Sequence, residues 1–286
     1  MEVLIIGGSG LAGSNVVRRF REEGFEVSGT YNNRQTEEAT VQLDKEDEAA
    51  VTGLITDTEP EVVIDLAAFH NVDECEIQRG KAWSINATGT ANVVAAAAEV
   101  DAHFIFLSTD YVFSGESEEV PYTETSPVNP VNYYGQTKYA GEQAAKVTNK
   151  WTVLRSSVLY GTHRENFLTW ALSGLRTDNR VEVVDDQIST VTYVGDIAEA
   201  CVRVADRELF GLYHAAGPES VSRYRFTRQV ASAFGYPPQA VVPVSTAELG
   251  QEAIRPQNSS LDSEKLYEDI GYRFKRPKTA LEILTS

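Results

Sequence analysis

The amino-acid sequence predicts an α/β protein built on a doubly wound parallel sheet, with a small C-terminal lobe. Strand-like apolar runs alternate with helix-like stretches from the N-terminus to about residue 184. This alternation is typical of a parallel sheet that is covered by helices on both faces. A glycine cluster follows the first apolar run directly. Beyond Gly211, breakers such as Gly217-Pro218 and Pro237-Pro238 interrupt the alternation, which indicates a smaller and less regular lobe.

The predicted elements can be placed along the chain in order. Strands are predicted over residues 3–6, 25–31, 40–43, 62–67, 103–107, 152–154 and 180–184. Helices are predicted over residues 14–23, 46–56, 74–99, 133–147 and 164–175, and in the C-terminal lobe over 222–234, 246–249 and 263–270. Ligands of open α/β sheets bind outside the carboxyl ends of the strands, so we expect the functional site at that edge.

The glycines after the first strand indicate a dinucleotide site. Gly7, Gly10 and Gly13 form the pattern G-x-x-G-x-x-G between a strand and a helix. Such glycines permit a tight turn and let a pyrophosphate approach the amides at the helix N-terminus. The predicted contacts are Gly7, Ser9, Gly10, Leu11 and Gly13. We therefore expect an NAD(P)-binding domain of the Rossmann type over 1–161, completed by part of 178–214, and a discontinuous substrate-binding lobe over 162–286.

The end of the second strand predicts which dinucleotide is preferred. NAD-specific folds place an acidic residue at this strand end to bind the ribose 2′-hydroxyl. Here the strand ends at Tyr31, and no acidic residue follows it until Glu37. Asn32 begins the turn, and Arg34 offers a planar guanidinium that can bind a 2′-phosphate in bidentate fashion. An exposed arginine in a turn is the alternative. We expect NADPH as the cofactor, with NADH as a usable second one.

The stretch from His103 to Gln143 carries the candidate chemistry. An apolar run ends at Ser108-Thr109-Asp110, and a helix that begins near Asn132 carries Tyr134 and Lys138 four residues apart, on one face. An ammonium beside a phenol favours the phenolate and is expected to lower the tyrosine pKa from its usual ~10. The Thr109 hydroxyl could orient a carbonyl while Tyr134 protonates its oxygen.

Composition excludes several classes of partner and site. The formal net charge is −17, which disfavours nucleic acids and anionic membranes as partners. Cys75, Cys201 and the scattered histidines show neither disulfide nor metal-ligand spacing, so no metal is expected. We find no signal peptide and no apolar run of ~20 residues, and therefore expect a cytoplasmic protein.

The acidic, lysine-poor composition also predicts how stability depends on salt. It resembles that of cytosolic halophilic proteins, although a merely acidic mesophilic protein is the alternative. The melting temperature should rise substantially from ~0.1 M KCl, where the Debye length is ~10 Å, to ~1 M, where it is ~3 Å, because the screening reduces self-repulsion. A flat or falling curve in a thermal scan would exclude the halophilic interpretation.

Ordered motifs along nearly the whole chain resemble the extended short-chain dehydrogenase/reductase superfamily, and within it the dTDP-4-dehydrorhamnose reductases. They are the glycine motif at 7–13, LAAFHNVD at 66–73, STDYVFSG at 108–115, YGQTK at 134–138, VLYG at 158–161 with Asn166-Phe167, Asp186-Gln187, and Arg255-Pro256 with Asn258 and Leu261-Asp262. One departure is that the family pattern D-Q-x-G-x-P-T is replaced here by DQISTVT at 186–192.

The resemblance implies an activity and a set of site residues. It implies NAD(P)H-dependent reduction of the C4 carbonyl of a 4-keto-6-deoxy sugar nucleotide, with Thr109, Tyr134 and Lys138 as the catalytic triad. Lys138 would also hold the nicotinamide ribose. Three further residues fall at cofactor positions, although loop solvation or core packing could equally explain them: Asp44, Ala67 and Ala68. Substrate contacts are expected from Asp110, Tyr111, Asn166, Gln187 and Arg255. The resemblance also allows for a homodimer.

Two other functions are compatible with the same motifs. The regulatory subunit of methionine adenosyltransferase resembles these reductases without being a reductase, since fold does not imply function. A sugar-nucleotide epimerase or 4,6-dehydratase is the second alternative. Dehydratases usually place Glu where Tyr111 stands, and a phenol does not readily act as that base. Asn86 could be either a polar group of the site or a helix-surface residue.

Overall fold

The computed structural model describes residues 1–116, 118 and 120–285, and its architecture confirms the predicted fold class. The strands are β1 (Glu2–Ile6), β2 (Glu26–Tyr31), β3 (Val41–Gln42), β4 (Val62–Asp65), β5 (His103–Thr109), β6 (Trp151–Ser156), β7 (Leu159–Tyr160), β8 (Val181–Val184), β9 (Ile188–Thr190), β10 (Thr192–Tyr193), β11 (Gly211–His214), β12 (Ser220–Ser222) and β13 (Val241–Val244). Seven of them form a parallel sheet in the order β11-β6-β5-β4-β1-β2-β3.

Helices cover both faces of this sheet. They are α1 (Leu11–Glu22), α2 (Glu48–Thr58), α3 (Val72–Ile77), α4 (Arg79–Trp83), α5 (Gly89–Glu99), α6 (Tyr133–Ala145), α7 (Phe167–Thr177), α8 (Val194–Asp206), α9 (Arg223–Ala233), α10 (Thr246–Leu249), α11 (Glu264–Ile270) and α12 (Pro277–Thr285). One core joins α1, α8 and α11 to the sheet, and a second joins α2, α5 and α6 to the opposite face. Burial on both faces explains why β5 reads as a continuous apolar run.

The strand predicted over 180–184 is present as Val181–Val184, but it does not belong to the central sheet. This segment, β8, pairs with β13 in the lobe and lies outside the central sheet. The seventh strand of that sheet is instead β11, which pairs with β6 although it lies in the region of weakened alternation. With four residues, this strand is too short to give a clear periodic signal in the sequence. The proposed domain boundaries stay a prediction.

The single helix predicted over 74–99 is divided into three pieces. The backbone leaves the helical region at Gln78, between α3 and α4, and a π-helical turn over Ser84–Thr88 precedes α5. The buried Asn86 lies in this turn, where its side chain bonds both backbone polar groups of Phe69. Such π-bulges occur frequently at functional sites.

The lobe closes the carboxyl edge of the sheet through a returning segment of chain. Residues 257–262 run between β9 and the loop that follows β5: Ile188 N donates to Gln257 O, and Tyr122 N donates to Ser260 O. The ends of β5 and β6 are therefore enclosed by residues from late in the chain. In the described part of the chain, no helix is long and apolar enough to cross a membrane.

Candidate active site

The glycine loop forms a cradle that only glycine can line. Gly7 has a φ of +83°, and a Cβ on Gly13 would lie 2.1 Å from the Gly7 carbonyl oxygen. Gly10 occupies the N-cap of α1, where no side chain in the described residues caps the helix. The first turn of α1 contains no acidic residue, so its amides and the helix dipole face outward without a competing carboxylate. In a chain of net charge −17, this is a fitting site for a pyrophosphate.

Ala67 and Ala68 lie beside this cradle, at the end of β4. A Cβ on Gly7 would meet the Ala67 backbone nitrogen at 2.9 Å, so the two backbones are in close contact. Both alanines are half-buried. The glycine loop and this small-residue wall together have a shape that fits a dinucleotide, and the individual cofactor contacts stay predictions.

The loop after β2 places the other predicted cofactor residues at the surface. Asn32 and Arg34 are both exposed, and the Asn32 carbonyl accepts a hydrogen bond from the Gln42 side chain at 3.2 Å. Asp44 is also exposed, and its carboxylate accepts from Glu46 N at 3.0 Å. Asp44 therefore caps a turn, and its adenine contact stays a prediction.

Replacing Arg34 tests the predicted cofactor preference. In Arg34→Ala the ratio of kcat/KM for NADPH to that for NADH should fall by about 10-fold or more, because a charge-assisted bond to the 2′-phosphate is lost. Steady-state kinetics with both cofactors measure this ratio. Arg176→Ala, at an exposed position on α7, is the matched control. An unchanged ratio, or a wild type that prefers NADH, would contradict the assignment.

Backbone packing brings Thr109 and Tyr134 together. Asn132 caps α6 as predicted, because its Oδ1 accepts from Gly135 N at 2.8 Å. A Cβ on Gly135 would lie 2.1 Å from the Tyr111 carbonyl oxygen, so the first turn of α6 presses against the turn that follows β5. The Tyr134 phenol consequently lies beside Thr109, and its ring packs edge-on against Tyr111 at a centroid distance of 6.1 Å.

The electrostatics of Tyr134 differ from the expectation. Burial raises the pKa of the Tyr134 phenol, the charge of nearby Asp110 raises it further, and the neighbouring Thr109 hydroxyl opposes the rise only in part. The expected lowering by Lys138 is not what determines it, because the Lys138 ammonium lies over the Phe106 ring, 3.9 Å from its centroid. Tyr134 is therefore protonated at neutral pH, which is the state that a proton donor requires.

The pKa of Lys138 is also strongly shifted from its usual value. Its side chain is buried in the site, and this burial lowers the pKa of Lys138 to about 7. The charge of Lys45 lowers the pKa further, while Asp65 and Glu142 act in the opposite direction. Strongly shifted groups that meet in a cleft are typical of active sites.

Two of the predicted substrate residues are engaged by the protein framework. The buried Asp110 carboxylate accepts hydrogen bonds from Ser157 at 2.8 Å and Ser259 at 2.5 Å, which joins the ends of β5 and β6 to the returning segment. Asn166 caps α7: its Oδ1 accepts from Leu168 N, and its Nδ2 donates to backbone carbonyls of the preceding loop. Asn166 is thus used at a helix end, and its predicted substrate contact has no support in these bonds.

The other three predicted substrate residues line the region between the lobe and the sheet. Gln187 Nε2 donates to Thr246 Oγ1 at 2.9 Å and to Gln251 Oε1 at 2.8 Å. Arg255 forms a bidentate pair with Asp73 and lies near Tyr111. The Arg255 guanidinium holds the pKa of the Asp73 carboxyl below its usual range. Contacts of these side chains with a substrate stay predictions.

Sequence reasoning missed one part of the site and left another open. The buried ion pair of Lys45 and Asp65 lies under Ala67, and no local pattern joins two residues that far apart. Asn86 was left open between two interpretations. The structure buries it and lets its Nδ2 donate to Thr137 Oγ1 on α6 at 3.0 Å, one residue from Lys138.

Two curated proteins match most of this chain. The methionine adenosyltransferase 2 subunit beta of Xenopus tropicalis is 36% identical over 284 residues, which are 96% of this chain and 84% of that protein. The spore coat polysaccharide biosynthesis protein SpsK of Bacillus subtilis is 31% identical over 281 residues, which are 98% of this chain and 95% of that protein.

A solved structure agrees with the whole fold. The dTDP-4-dehydrorhamnose reductase from Bacillus anthracis, in complex with NADP, has a TM-score of 0.91 and 31% sequence identity, covering 99% of this chain and 98% of that one. The RmlD substrate binding domain family matches residues 1–285. With the glycine cradle and the Thr109–Tyr134–Lys138 cluster in place, the chain belongs to the RmlD substrate binding domain family of extended short-chain dehydrogenases/reductases.

Proposed function

We propose that this protein is an NADPH-dependent reductase of the C4 carbonyl of a 4-keto-6-deoxy sugar nucleotide, in the manner of dTDP-4-dehydrorhamnose reduction to dTDP-rhamnose. The observation that carries the proposal is the arrangement of three residues at the carboxyl edge of the sheet: Tyr134 on α6 lies beside Thr109 at the end of β5, and Lys138 follows Tyr134 by one turn on the same helix. This cluster lies at the edge that also holds the glycine cradle, where open α/β folds bind their ligands.

Each residue of the cluster has a defined task in the reduction. NADPH, when bound, supplies the hydride that reaches the carbonyl carbon. Tyr134 donates its proton to the carbonyl oxygen, so that hydride and proton together convert the ketone to an alcohol. Thr109 hydrogen-bonds the same oxygen and aligns it with the phenol. Lys138, one turn along α6 from Tyr134, would hold the ribose hydroxyls of the cofactor.

The comparisons support the reductase class, and the altered loop bears on the substrate. A relative named as a dTDP-4-dehydrorhamnose reductase shares the fold along its whole length at 31% identity. The loop at 186–192 lacks the family's Gly and Pro, yet its Asp186 accepts hydrogen bonds from Thr246 N and Oγ1, which tie it to α10. We therefore place the nucleotide sugar between this loop and the Tyr134 cluster.

A regulatory role is the second candidate, because a relative at 36% identity is named as a methionine adenosyltransferase subunit. The half-buried, protonated Tyr134 beside Thr109 favours chemistry over regulation. An epimerase is less compatible, since such enzymes regenerate a tightly held NAD, whereas we expect Arg34 to favour NADPH.

A substrate scan tests the proposed function. Purified protein is incubated with NADPH and a panel of 4-keto-6-deoxy sugar nucleotides, and cofactor absorbance is followed. We expect consumption of NADPH in equal amount to the C4 alcohol formed, with deuterium from labelled cofactor at C4. Tyr134→Phe is the control for background reduction. Cofactor binding without turnover of any member of the panel would contradict the reductase and favour the regulatory candidate.

A further inference from the structure

A buried ion pair lies directly beneath the wall of the dinucleotide cradle. The Lys45 side chain, from the loop before α2, is 4% exposed, and Asp65, at the end of β4, is completely buried. Lys45 Nζ lies 2.8 Å from Asp65 Oδ2. Thr90 Oγ1 closes the network, because it accepts from Lys45 Nζ at 3.0 Å and donates to Asp65 Oδ2 at 2.9 Å.

The pair holds the backbone of one residue, Ala67, from both sides. Asp65 Oδ1 accepts a hydrogen bond from Ala67 N at 3.1 Å, and Lys45 Nζ donates to Ala67 O at 2.7 Å. Both backbone polar groups of Ala67 are thus satisfied by charged side chains. Because Ala67 leaves no room for a Cβ on Gly7, its position bounds the cradle on this side.

Stability alone does not explain a pair of this kind. Desolvating two charges costs several kcal/mol, and an apolar pair of similar volume is often equally stable or more so. The surrounding fold nevertheless makes room for Lys45: a Cβ on Gly89 would lie 2.8 Å from Lys45 Cγ. A binding surface needs supporting groups that keep its geometry fixed, and a buried, fully hydrogen-bonded ion pair can provide that support.

We propose that Lys45 and Asp65 are positioning residues for the dinucleotide, which fix Ala67 against the glycine loop so that the cradle has its binding shape before the cofactor arrives. The proposal deepens the proposed function and rests on its dinucleotide site, but it requires no particular sugar substrate. Neither side chain touches the cofactor in this account; both act through the Ala67 backbone.

The two charges of this pair act in opposite directions on the pKa of Lys138. The charged groups that act on the Lys138 ammonium are Lys45 from the loop before α2, Asp65 from β4 and Glu142 from α6. Removing the Lys45 charge raises the pKa of Lys138, and removing the Asp65 charge lowers it. The two single variants should therefore move the alkaline limb of the pH–kcat/KM profile in opposite directions.

Cofactor affinity provides the decisive measurement. The dissociation constant of NADPH is measured by titration calorimetry on wild type, Lys45→Met and Asp65→Asn, with no sugar present. We expect each variant to bind NADPH about 10-fold more weakly, because the Ala67 backbone loses or weakens one of the two hydrogen bonds that fix its position. A simple effect of net charge on the anionic cofactor would instead weaken binding in Lys45→Met and strengthen it in Asp65→Asn.

A matched control separates positioning from general destabilisation. Lys275→Met removes the partner of another fully buried carboxylate, Asp196, which accepts its hydrogen bonds from Tyr272 and Lys275 near the C-terminus. It should lower the melting temperature yet leave the NADPH dissociation constant within two-fold of wild type. If Lys45→Met does not fold, Thr90→Val, which removes one hydroxyl from the network, replaces it with the same expected direction.

The outcomes distinguish this inference from the proposed function. Unchanged NADPH affinity in the folded variants, affinities that move in opposite directions, or equal weakening in Lys275→Met would overturn the positioning role even if turnover is intact. Conversely, weaker binding in both single variants upholds the positioning role even if no 4-keto sugar nucleotide is reduced.

Discussion

Tyr134→Phe is expected to lower kcat by roughly 10²–10⁴-fold, the usual contribution of general acid catalysis. In the proposed reaction the phenol is the proton donor, and burial and the neighbouring Asp110 raise its pKa, so that it carries its proton at neutral pH. Phenylalanine retains the ring that packs against Tyr111, so the site should keep its shape. NADPH affinity should change little, and the loss should therefore lie in kcat, measured under saturating substrate and cofactor.

Tyr133→Phe is the matched control for this prediction. Tyr133 precedes the proton donor on α6, and its ring lies under the Arg79 guanidinium, 5.0 Å from the centroid. Phenylalanine preserves that contact, so this variant should retain kcat within a few-fold of wild type. If Tyr134→Phe keeps a similar rate, or if the two variants lose activity equally, Tyr134 is not the proton donor.

Glu142→Gln is expected to lower the free energy of unfolding by about 3–5 kcal/mol, the usual cost of removing one partner of a buried ion pair. Glu142 on α6 accepts from Arg155 Nε at 2.9 Å and from Arg155 Nη2 at 2.7 Å, and both side chains are 3% exposed. Ser108 Oγ donates to the same carboxylate at 2.6 Å. Without that carboxylate, the Arg155 guanidinium would remain in the interior with an uncompensated charge.

An exposed pair provides the comparison for this stability effect. Glu264 pairs with Arg273 at the surface, where the two side chains are 52% and 58% exposed. Glu264→Gln should cost less than about 1 kcal/mol, because water and salt already screen the interaction. Urea denaturation of both variants at one salt concentration measures the difference. A Glu142→Gln protein no less stable than Glu264→Gln would show that the Arg155 charge is accommodated without its partner.

The Tyr134→Phe variant also separates the proposed reductase from the second candidate, a regulatory subunit. A regulatory subunit would lose nothing measurable in Tyr134→Phe, because that substitution preserves shape and removes one hydroxyl. A reductase would lose nearly all turnover while keeping cofactor affinity. The pair of measurements therefore separates a catalytic from a purely binding use of the same fold.

The sequence alone predicted what depends on local pattern. Alternating apolar and helical stretches predicted the doubly wound parallel sheet, and the glycine spacing after β1 predicted the dinucleotide cradle. The capping preference of asparagine predicted the start of α6 at Asn132. The four-residue spacing of Tyr134 and Lys138 predicted a shared helix face. Each of these signals lies within a few residues, where steric and hydrogen-bonding preferences act directly.

Only the tertiary structure decided what depends on residues far apart in the chain. It assigned the seventh strand to β11, divided the helix predicted over 74–99, and placed Lys45 with Asp65 beneath Ala67. It also reversed the expected pKa shift of Tyr134, because burial and Asp110 outweigh an ammonium that lies against Phe106. Burial and charge pairing are properties of the packed neighbourhood, and the linear spacing of residues does not specify which distant groups will share it.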